Sequence, residues 1–287
     1  MTKILASIIS YNGFQYLPDC INSCKKSGID ILVIDNHSKD GSIEYLTAEK
    51  DINLIKNSLN LGFTKAANQA IEYAINNEFE YLLLLNQDTE YEKEMLTLLI
   101  ENMEQDNLIA IVSPIYFNEY SNLEYQFKYN LKDFNIELEN NQTPSIEVPF
   151  VNAACWLIDL KKINLIGNFN EIFKNYGSDL DFCNRTIFSG FKIYINKNAI
   201  ITHKKEDFDY QNDLIKTVKL HNAFYIVYLI NPIKKVTIQG FYISRTKKVI
   251  KSFIKFDLKD CMLNLITIFY IAFRLNKIIE IRKTFES

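Results

Sequence analysis

Glycine and proline are scarce in this chain of 287 residues, at 8 and 5 copies. That excludes collagen-like repeats and Gly/Pro-rich low-complexity linkers. No segment repeats with a period of roughly 20–50 residues, which excludes solenoids and propellers. No Gly-x-Gly-x-x-Gly follows the first strand-like segment, and no Gly-x-x-x-x-Gly-Lys-Ser/Thr occurs anywhere. That argues against an ordinary dinucleotide site or P-loop. Cysteine is thin and odd in number: Cys20, Cys24, Cys155, Cys183 and Cys261. Cys20 and Cys24 share a helical segment, with no second pair to complete a zinc site. Buried free thiols in a reducing compartment are expected. Met1-Thr2-Lys3 runs straight into a strand-like segment, without a signal-peptide pattern. The longest apolar candidate for a membrane span, Met262 to Phe273, falls short of the roughly 18 residues a span needs. A soluble or peripheral protein inside the cell is the expectation.

Aromatic residues are abundant, with 20 Phe and 17 Tyr, and 48% of the chain is hydrophobic. That is enough for one large core or two smaller ones. Charge is unevenly spread. Lys234 to Ser287 carries 12 Lys+Arg against 4 Asp+Glu, whereas the rest carries 20 against 31. An acidic body with a basic, aromatic C-terminal region opposes a nucleic-acid role for the body. Interleaved Lys/Arg and Phe, Ile and Tyr at helical spacing fit either a solvated face or an interfacial helix on an anionic membrane.

Tyr81-Leu82-Leu83-Leu84-Leu85 is apolar without a polar break, which predicts a strand buried on both faces of a parallel sheet. It ends in Asn86-Gln87-Asp88. A carboxylate at that end lies where open α/β sheets bind ligands, or it caps a helix starting near Tyr91. Strands are predicted over Ile4 to Ser10, Ile31 to Ile34, Ile52 to Ile55 and Ile109 to Pro114. Helices are predicted over Phe14 to Ser27, Ser38/Asp40 to Ala48, Thr64 to Asn76 and Lys93 to Gln105. Alternation at this spacing predicts right-handed crossovers and a mainly parallel sheet. Tyr11-Asn12, Asp35-Asn36 and Asn86-Gln87-Asp88 then converge on one sheet edge. Further on, Asn122 to Gln142 alternates apolar and polar residues and predicts a hairpin. Val148 to Ile158 predicts a strand, and Asn175 to Asp181 precedes a helix that runs to about Ser189. Phe191 to Ile195 and Ala199 to His203 predict two more strands, and from Asp213 onward the pattern is helical.

Several ordered motifs carry a family resemblance. Ser7-Ile8-Ile9-Ser10-Tyr11-Asn12 is similar to an opening nucleotide-binding strand. Val33-Ile34-Asp35-Asn36-His37-Ser38-Lys39-Asp40-Gly41-Ser42 matches the family's second motif, and Asn60-Leu61-Gly62-Phe63 through Ala67-Asn68-Gln69-Ala70-Ile71 its third. Leu82 to Thr89 sits at the metal-binding motif. Gly167-Asn168-Phe169-Asn170-Glu171 and Asp179-Leu180-Asp181-Phe182-Cys183-Asn184-Arg185 resemble the acceptor and catalytic segment, with His203 following. Over roughly residues 3–205 the chain resembles the GT-A glycosyltransferases of family 2, in particular the bacterial rhamnosyltransferase-like branch.

The resemblance implies an α/β GT-A fold: a Rossmann-like, mainly parallel sheet with flanking helices, plus a C-terminal helical segment. Residues 1–205 form the catalytic domain, with 1–115 as nucleotide-binding half and 116–205 as acceptor half. Residues 206–287 form a basic helical region that associates with membrane. The implied nucleotide-binding residues are Tyr11, Asn12, Asp35, Ser38, Asn60, Gly62, Asn68 and Gln87. Asp35 can accept from a pyrimidine imide N–H or cap a helix. Asp88 and His203 are the implied ligands of Mg²⁺ or Mn²⁺, hard cations that suit oxygen donors and a diphosphate. Many relatives carry a second aspartate where Asn86 stands, and Glu where Ser178 stands. Asp179 is the implied general base. Trp156 and Asp181 are the implied acceptor-binding residues, although a core tryptophan is an equal reading and Asp181 could instead support its helix, paired with Arg185 one turn on. The implied activity is inverting transfer of a sugar from a dTDP- or UDP-sugar to a glycan or lipid-linked acceptor, at the cytoplasmic face of the membrane. A non-catalytic sugar-nucleotide-binding or scaffold module is the alternative. A nucleotidyltransferase is disfavoured, because no Gly-rich basic loop follows Ser10 to cradle a triphosphate.

Overall fold

The computed structural model describes residues 2–138, 143–204 and 214–285. The chain opens with β1 (Ile4–Ser10), α1 (Leu17–Ser27), β2 (Asp30–Asp35), α2 (Ser42–Ala48), β3 (Asn53–Lys56) and α3 (Phe63–Asn76). It continues with β4 (Tyr81–Asn86), β5 (Thr89–Tyr91), α4 (Lys93–Glu104), β6 (Ile109–Phe117) and α5 (Tyr125–Asp133). Then follow β7 (Ser145–Glu147), β8 (Cys155–Asp159), α6 (Ile163–Ile166), α7 (Ser178–Phe188) and β9 (Lys192–His203). Three helices close the described chain: α8 (Leu214–Ile230), α9 (Ile238–Ile254) and α10 (Leu258–Lys283).

Eight of the strands run in the order β3-β2-β1-β4-β8-β6-β9-β5, and β7 adds to β9. The first four are parallel, as the alternation predicts. The sheet then turns mixed, because β8 lies antiparallel to both β4 and β6. The leucine run is central, between β1 and β8, and Leu82 to Leu85 are wholly buried. Alanines on α3 (Ala66, Ala67, Ala70, Ala74) form its buried face with Ile71 and let the helix sit close to the sheet. Pro18 stands in the first turn of α1, where its missing N–H costs nothing, and Gly28 caps the far end in the left-handed region.

Two expectations fail for clear reasons. The expected hairpin at 122–142 is the helix α5, and residues 139–142 lie outside the described part. Its apolar alternation is misleading: Tyr125 and Tyr129 face solvent, while Phe127, Asn130 and Leu131 form a helical buried face. Glu124 caps it by accepting from the Phe127 N–H. The two strands expected at 191–203 are the single β9. Its register against β6 shifts between Ser113 and Ile115, around Pro114, which has no N–H to give the ladder. Asn196 closes the resulting bulge, its Oδ1 accepting from the Asn198 and Ala199 N–H groups. The strand expected over 148–158 is narrower, at Cys155–Asp159.

The C-terminal helices build a second core. Ala223, Ile226, Val227, Leu229 and Ile230 of α8 pack with Phe241 of α9 and Ile271 and Ile278 of α10. Phe173, from the loop before α7, joins that core and fastens it to the sheet domain. The expected boundary near residue 205 falls outside the described residues. Contrary to the short apolar run read from the sequence, α10 is 26 residues long, and by length and composition it could cross a membrane.

Candidate active site

The C-terminal edge of the sheet gathers the loops after β1, β2 and β4. Ser10 pairs with Asp35 and Ile9 with Asn86, so the residues that follow are neighbours. The Tyr11 N–H donates to Gln87 Oε1 (2.9 Å), and Gln87 Nε2 donates to the Tyr11 carbonyl (3.1 Å). Gln87 thus extends the β1–β4 ladder by one side-chain rung instead of facing a nucleotide. Gly13 makes room for it: a Cβ there would lie 2.1 Å from Gln87 Cδ. Asn12 adopts φ 49°, which asparagine tolerates. Its N–H donates to Ser38 Oγ (2.9 Å) and its Oδ1 accepts from the Lys39 N–H (2.8 Å).

Asp35 has no exposed surface, and its carboxylate accepts from the Ser38 N–H (2.9 Å) and hydroxyl. In this structure it shapes the loop after β2 rather than presenting itself to a base. Asp40 accepts from the N–H groups of Phe14 and Ser42 and from the Ser42 hydroxyl. Burial pushes its pKa up, but those donors outweigh it and hold the carboxyl below its usual range. A cleft of about 440 Å³ opens beside this loop, lined by His37, Ser38, Lys39, Lys56 and Asn57 among others. Of these the sequence reading proposed only Ser38 as a ligand contact, and it missed Lys56 and Asn57 altogether. The position of Lys56 and Asn57 at the end of β3, on the same edge, was the available signal.

Asp88 does not cap a helix. It sits in the turn between β4 and β5, and α4 is preceded by Glu92. β5 pairs antiparallel with β9, which sets Thr89 opposite His203. The Lys204 N–H donates to the Asp88 carbonyl at 2.7 Å. His203 Nε2 thereby comes within 3.3 Å of Asp88 Oδ1, with the imidazole almost fully buried. Neither ring nitrogen makes a hydrogen bond among the described residues. Buried imidazole nitrogens without hydrogen bonds, beside a carboxylate, suit a shared divalent cation. The donor set is nevertheless small. Among the described residues no group of three or more His, Cys, Asp or Glu could hold a metal. Asp88 and His203 would supply two positions, leaving the others to phosphate oxygens and water. Lys204, beside them, pairs with Asp19 and Glu90 at 2.7 Å each. Burial works against its charge, but the two carboxylates prevail and raise its pKa.

Asp179 lies in the first turn of α7, half-buried, with Oδ1 accepting from the Leu180 N–H (2.9 Å). The third motif holds this region in place. Gly62 adopts φ +85°, and a Cβ there would lie 2.6 Å from the Lys174 carbonyl, so only glycine admits the approach. The Thr64 N–H donates to that carbonyl, and the Phe63 N–H to Asn175 Oδ1 (3.2 Å). The start of α3 is thus tied to the segment just before α7, the helix whose first turn carries Asp179.

Four residues expected to contact ligands make framework contacts in this structure. Asn60 Oδ1 accepts from the Gly62 N–H (2.8 Å). Asn68 clamps the Phe169 peptide from both sides, accepting its N–H (2.8 Å) and donating to its carbonyl (2.9 Å). Both amides hold loops in this structure. Trp156 is a core residue at 0% exposure, stacked near Phe169 and Phe182, and cannot stack on an acceptor sugar. Asp181, 1% exposed, pairs with Arg185 at 2.9 Å, the partner that the one-turn spacing offered. Burial raises its pKa, and Arg185 offsets part of that.

The model of the family described as "Glycosyl transferase family 2" matches residues 6–166. The dTDP-rhamnosyl transferase RfbF of Shigella flexneri is 23% identical over 207 residues, covering 70% of this chain and 69% of that protein. Among solved structures, the mannosyltransferase PcManGT of Pyrobaculum calidifontis, in complex with GDP-Man and Mn²⁺, superposes with TM-score 0.59 at 12% identity. That match covers 96% of this chain and 75% of PcManGT. GalNAc-T7, with UDP, GalNAc and Mn²⁺, gives TM-score 0.58 at 14% identity over 79% of this chain, which spans only 48% of that one. The family match takes in the strand-end loops and Asp88, and the structural likenesses give the fold. The chain belongs to glycosyl transferase family 2: it is a GT-A glycosyltransferase with a rhamnosyltransferase among its relatives.

Proposed function

We propose that this chain is an inverting glycosyltransferase. Its donor is a nucleotide-diphosphate sugar, dTDP-rhamnose before others. Its acceptor is a growing surface polysaccharide or lipid-linked oligosaccharide at the inner face of the cell membrane. The observation that carries the proposal is the Asp88–His203 pair at 3.3 Å on the edge where the strand-end loops meet. The loops of Tyr11, Asn12 and Ser38, with the cleft beside them, would receive the nucleotide. The choice of dTDP-rhamnose rests on the likeness to RfbF.

In this reading an acceptor hydroxyl oxygen forms the new bond to the anomeric carbon as the bond to the diphosphate oxygen breaks. Asp179 takes the hydroxyl proton during attack. Asp88 and His203 would hold Mg²⁺ or Mn²⁺, which when bound offsets the charge left on the nucleoside diphosphate. The test is release of dTDP from dTDP-rhamnose with acceptor present. Asp179→Asn and Asp88→Ala should each lower turnover about 100-fold or more. Full activity of either variant removes its assigned role. Gln87 is committed to Tyr11 and Asn86 carries no charge, which supports a second reading as a non-catalytic sugar-nucleotide-binding module. It predicts donor binding by calorimetry with no turnover under any divalent metal.

A further inference from the structure

The helix α10 buries two polar side chains and leaves a row of large apolar ones in solvent. Its buried positions include the polar Asn264 and Thr267, hydrogen-bonded to Arg245 and Asn222. Its exposed positions include Leu258, Met262, Leu265, Ile266, Phe269 and Phe273, with Phe273 87% exposed. These recur at three- and four-residue steps and form one continuous stripe. The stripe continues onto α9 through Ile250, Phe253 and Ile254, all exposed.

The turn joining α9 to α10 is the sharpest part of this surface. Phe256 is 88% exposed and sits at φ 55°, a left-handed conformation uncommon for a bulky residue. The turn around it is firmly made. Asp257 caps α10 through the Asp260 N–H (3.0 Å), and the Asp257 N–H donates to the Ser252 carbonyl (2.9 Å). The Ser252 hydroxyl donates to Asp260. Four large apolar side chains, Phe253, Ile254, Phe256 and Leu258, are thus held in solvent by an ordered turn. Lysines ring it: Lys247, Lys248, Lys251, Lys255 and Lys259 are all exposed. From Lys234 to Phe256 there are seven Lys or Arg and no Asp or Glu.

We infer that the α9–α10 turn and the adjoining α10 stripe are a wedge that enters the headgroup region of an anionic bilayer. Apolar groups at the tip meet acyl chains, and the ring of lysines meets lipid phosphates. The charge decides the occupant. A second copy of this chain would bring an identical positive ring against the first. The C-terminal half of α10 stays with the protein, because Ile271 and Ile278 are buried and Arg282 donates to the Leu229 and Val236 carbonyls. That geometry makes α10 a helix lying in the interface, not one crossing it. The inference locates the membrane contact within the proposed function, but it is tested without sugar nucleotide, so either can fail alone.

The test uses the full chain and vesicles of phosphatidylglycerol with phosphatidylcholine, against phosphatidylcholine alone. The protein should sediment with the anionic vesicles only. The F253S/F256S/F269S variant should bind them at least tenfold more weakly. Phe256→Gly should also weaken binding, while melting no lower than the parent, because glycine relieves the left-handed conformation. F256W should shift its emission to the blue on anionic vesicles, against the fixed background of buried Trp156. Unchanged binding in the triple variant, or an unshifted F256W spectrum, overturns the wedge. So does light scattering that finds a stable dimer which leaves anionic vesicles unbound, and that result assigns the stripe to a second copy.

Discussion

At the scale of single residues, the side chains singled out by the motifs divide into those that meet solvent at the sheet edge and those that hold it together. Gln87 belongs to the second group, and its bond to Tyr11 makes a specific demand on Gly13. Gly13→Ala should destabilise the protein by about 1–3 kcal/mol, because the new methyl must displace the Gln87 amide. In a Gln87→Ala background the same substitution should cost close to zero, a coupling readable by urea melts of the four proteins. Asp181 and Arg185 make a second demand. Arg185→Met leaves a buried carboxylate without its cation and should cost about 3–5 kcal/mol at neutral pH. The Asp181 pKa is already raised in the folded state, so in the pH range between its unfolded and folded pKa values the folded chain binds more proton than the unfolded one. Stability from that group is therefore present at low pH and lost as pH rises through the folded pKa. The deficit of Arg185→Met should shrink as pH falls from 7.5 towards 5, and a constant deficit would exclude burial of the charge as its cause. Residue type and spacing alone made Asp88 and Asp179 candidates. They could not reveal that Asn68, Asp35 and Trp156 face inward, because an amide clamp on a peptide 101 positions away leaves no local mark.

At the scale of elements, the first half of the chain was legible because each strand is buried on both faces and each helix shows a single apolar stripe. The four apolar residues before Asn86 could form little other than a central strand. α5 escaped because Leu123, Tyr125, Phe127 and Tyr129 alternate as strand residues do, while the deciding signal was the cap at Glu124 and the helical trio after it. β9 escaped because Asn196 to Asn198 resemble a turn, although they are a bulge facing Pro114. The clamp between α3 and the segment before α7 can be tested at this scale. Asn68→Ala removes two hydrogen bonds to the Phe169 peptide and should cost about 1–3 kcal/mol by chemical denaturation. Asn68→Asp keeps the acceptor and loses the donor, so it should fall between the two.

At the scale of the whole molecule, the C-terminal helices do more than append to the catalytic sheet. Val227 of α8 and Phe173 both lie 3.1 Å from where a Gly177 Cβ would stand, so α8 supports the turn that starts α7. Phe173→Ala should cost about 3–5 kcal/mol. It should also lower kcat/KM, since the turn it loosens carries Asp179; melting and steady-state transfer assays check the two effects separately. The charge contrast in the sequence foretold a distinct C-terminal region, but not that its core would reach under the turn that carries Asp179, because that contact depends on one phenylalanine from outside the C-terminal helices. The pairing of β5 with β9 has a further consequence, for synthesis. Asp88 and His203 stand about 115 residues apart in the chain and meet only when the last residues of β9 zip onto β5. On a ribosome, the loops after β1, β2 and β4 can assemble long before His203 has left the exit tunnel. The partner of Asp88 is thus among the last parts of the sheet to arrive, and a chain stalled before β9 would carry the nucleotide-side loops without it.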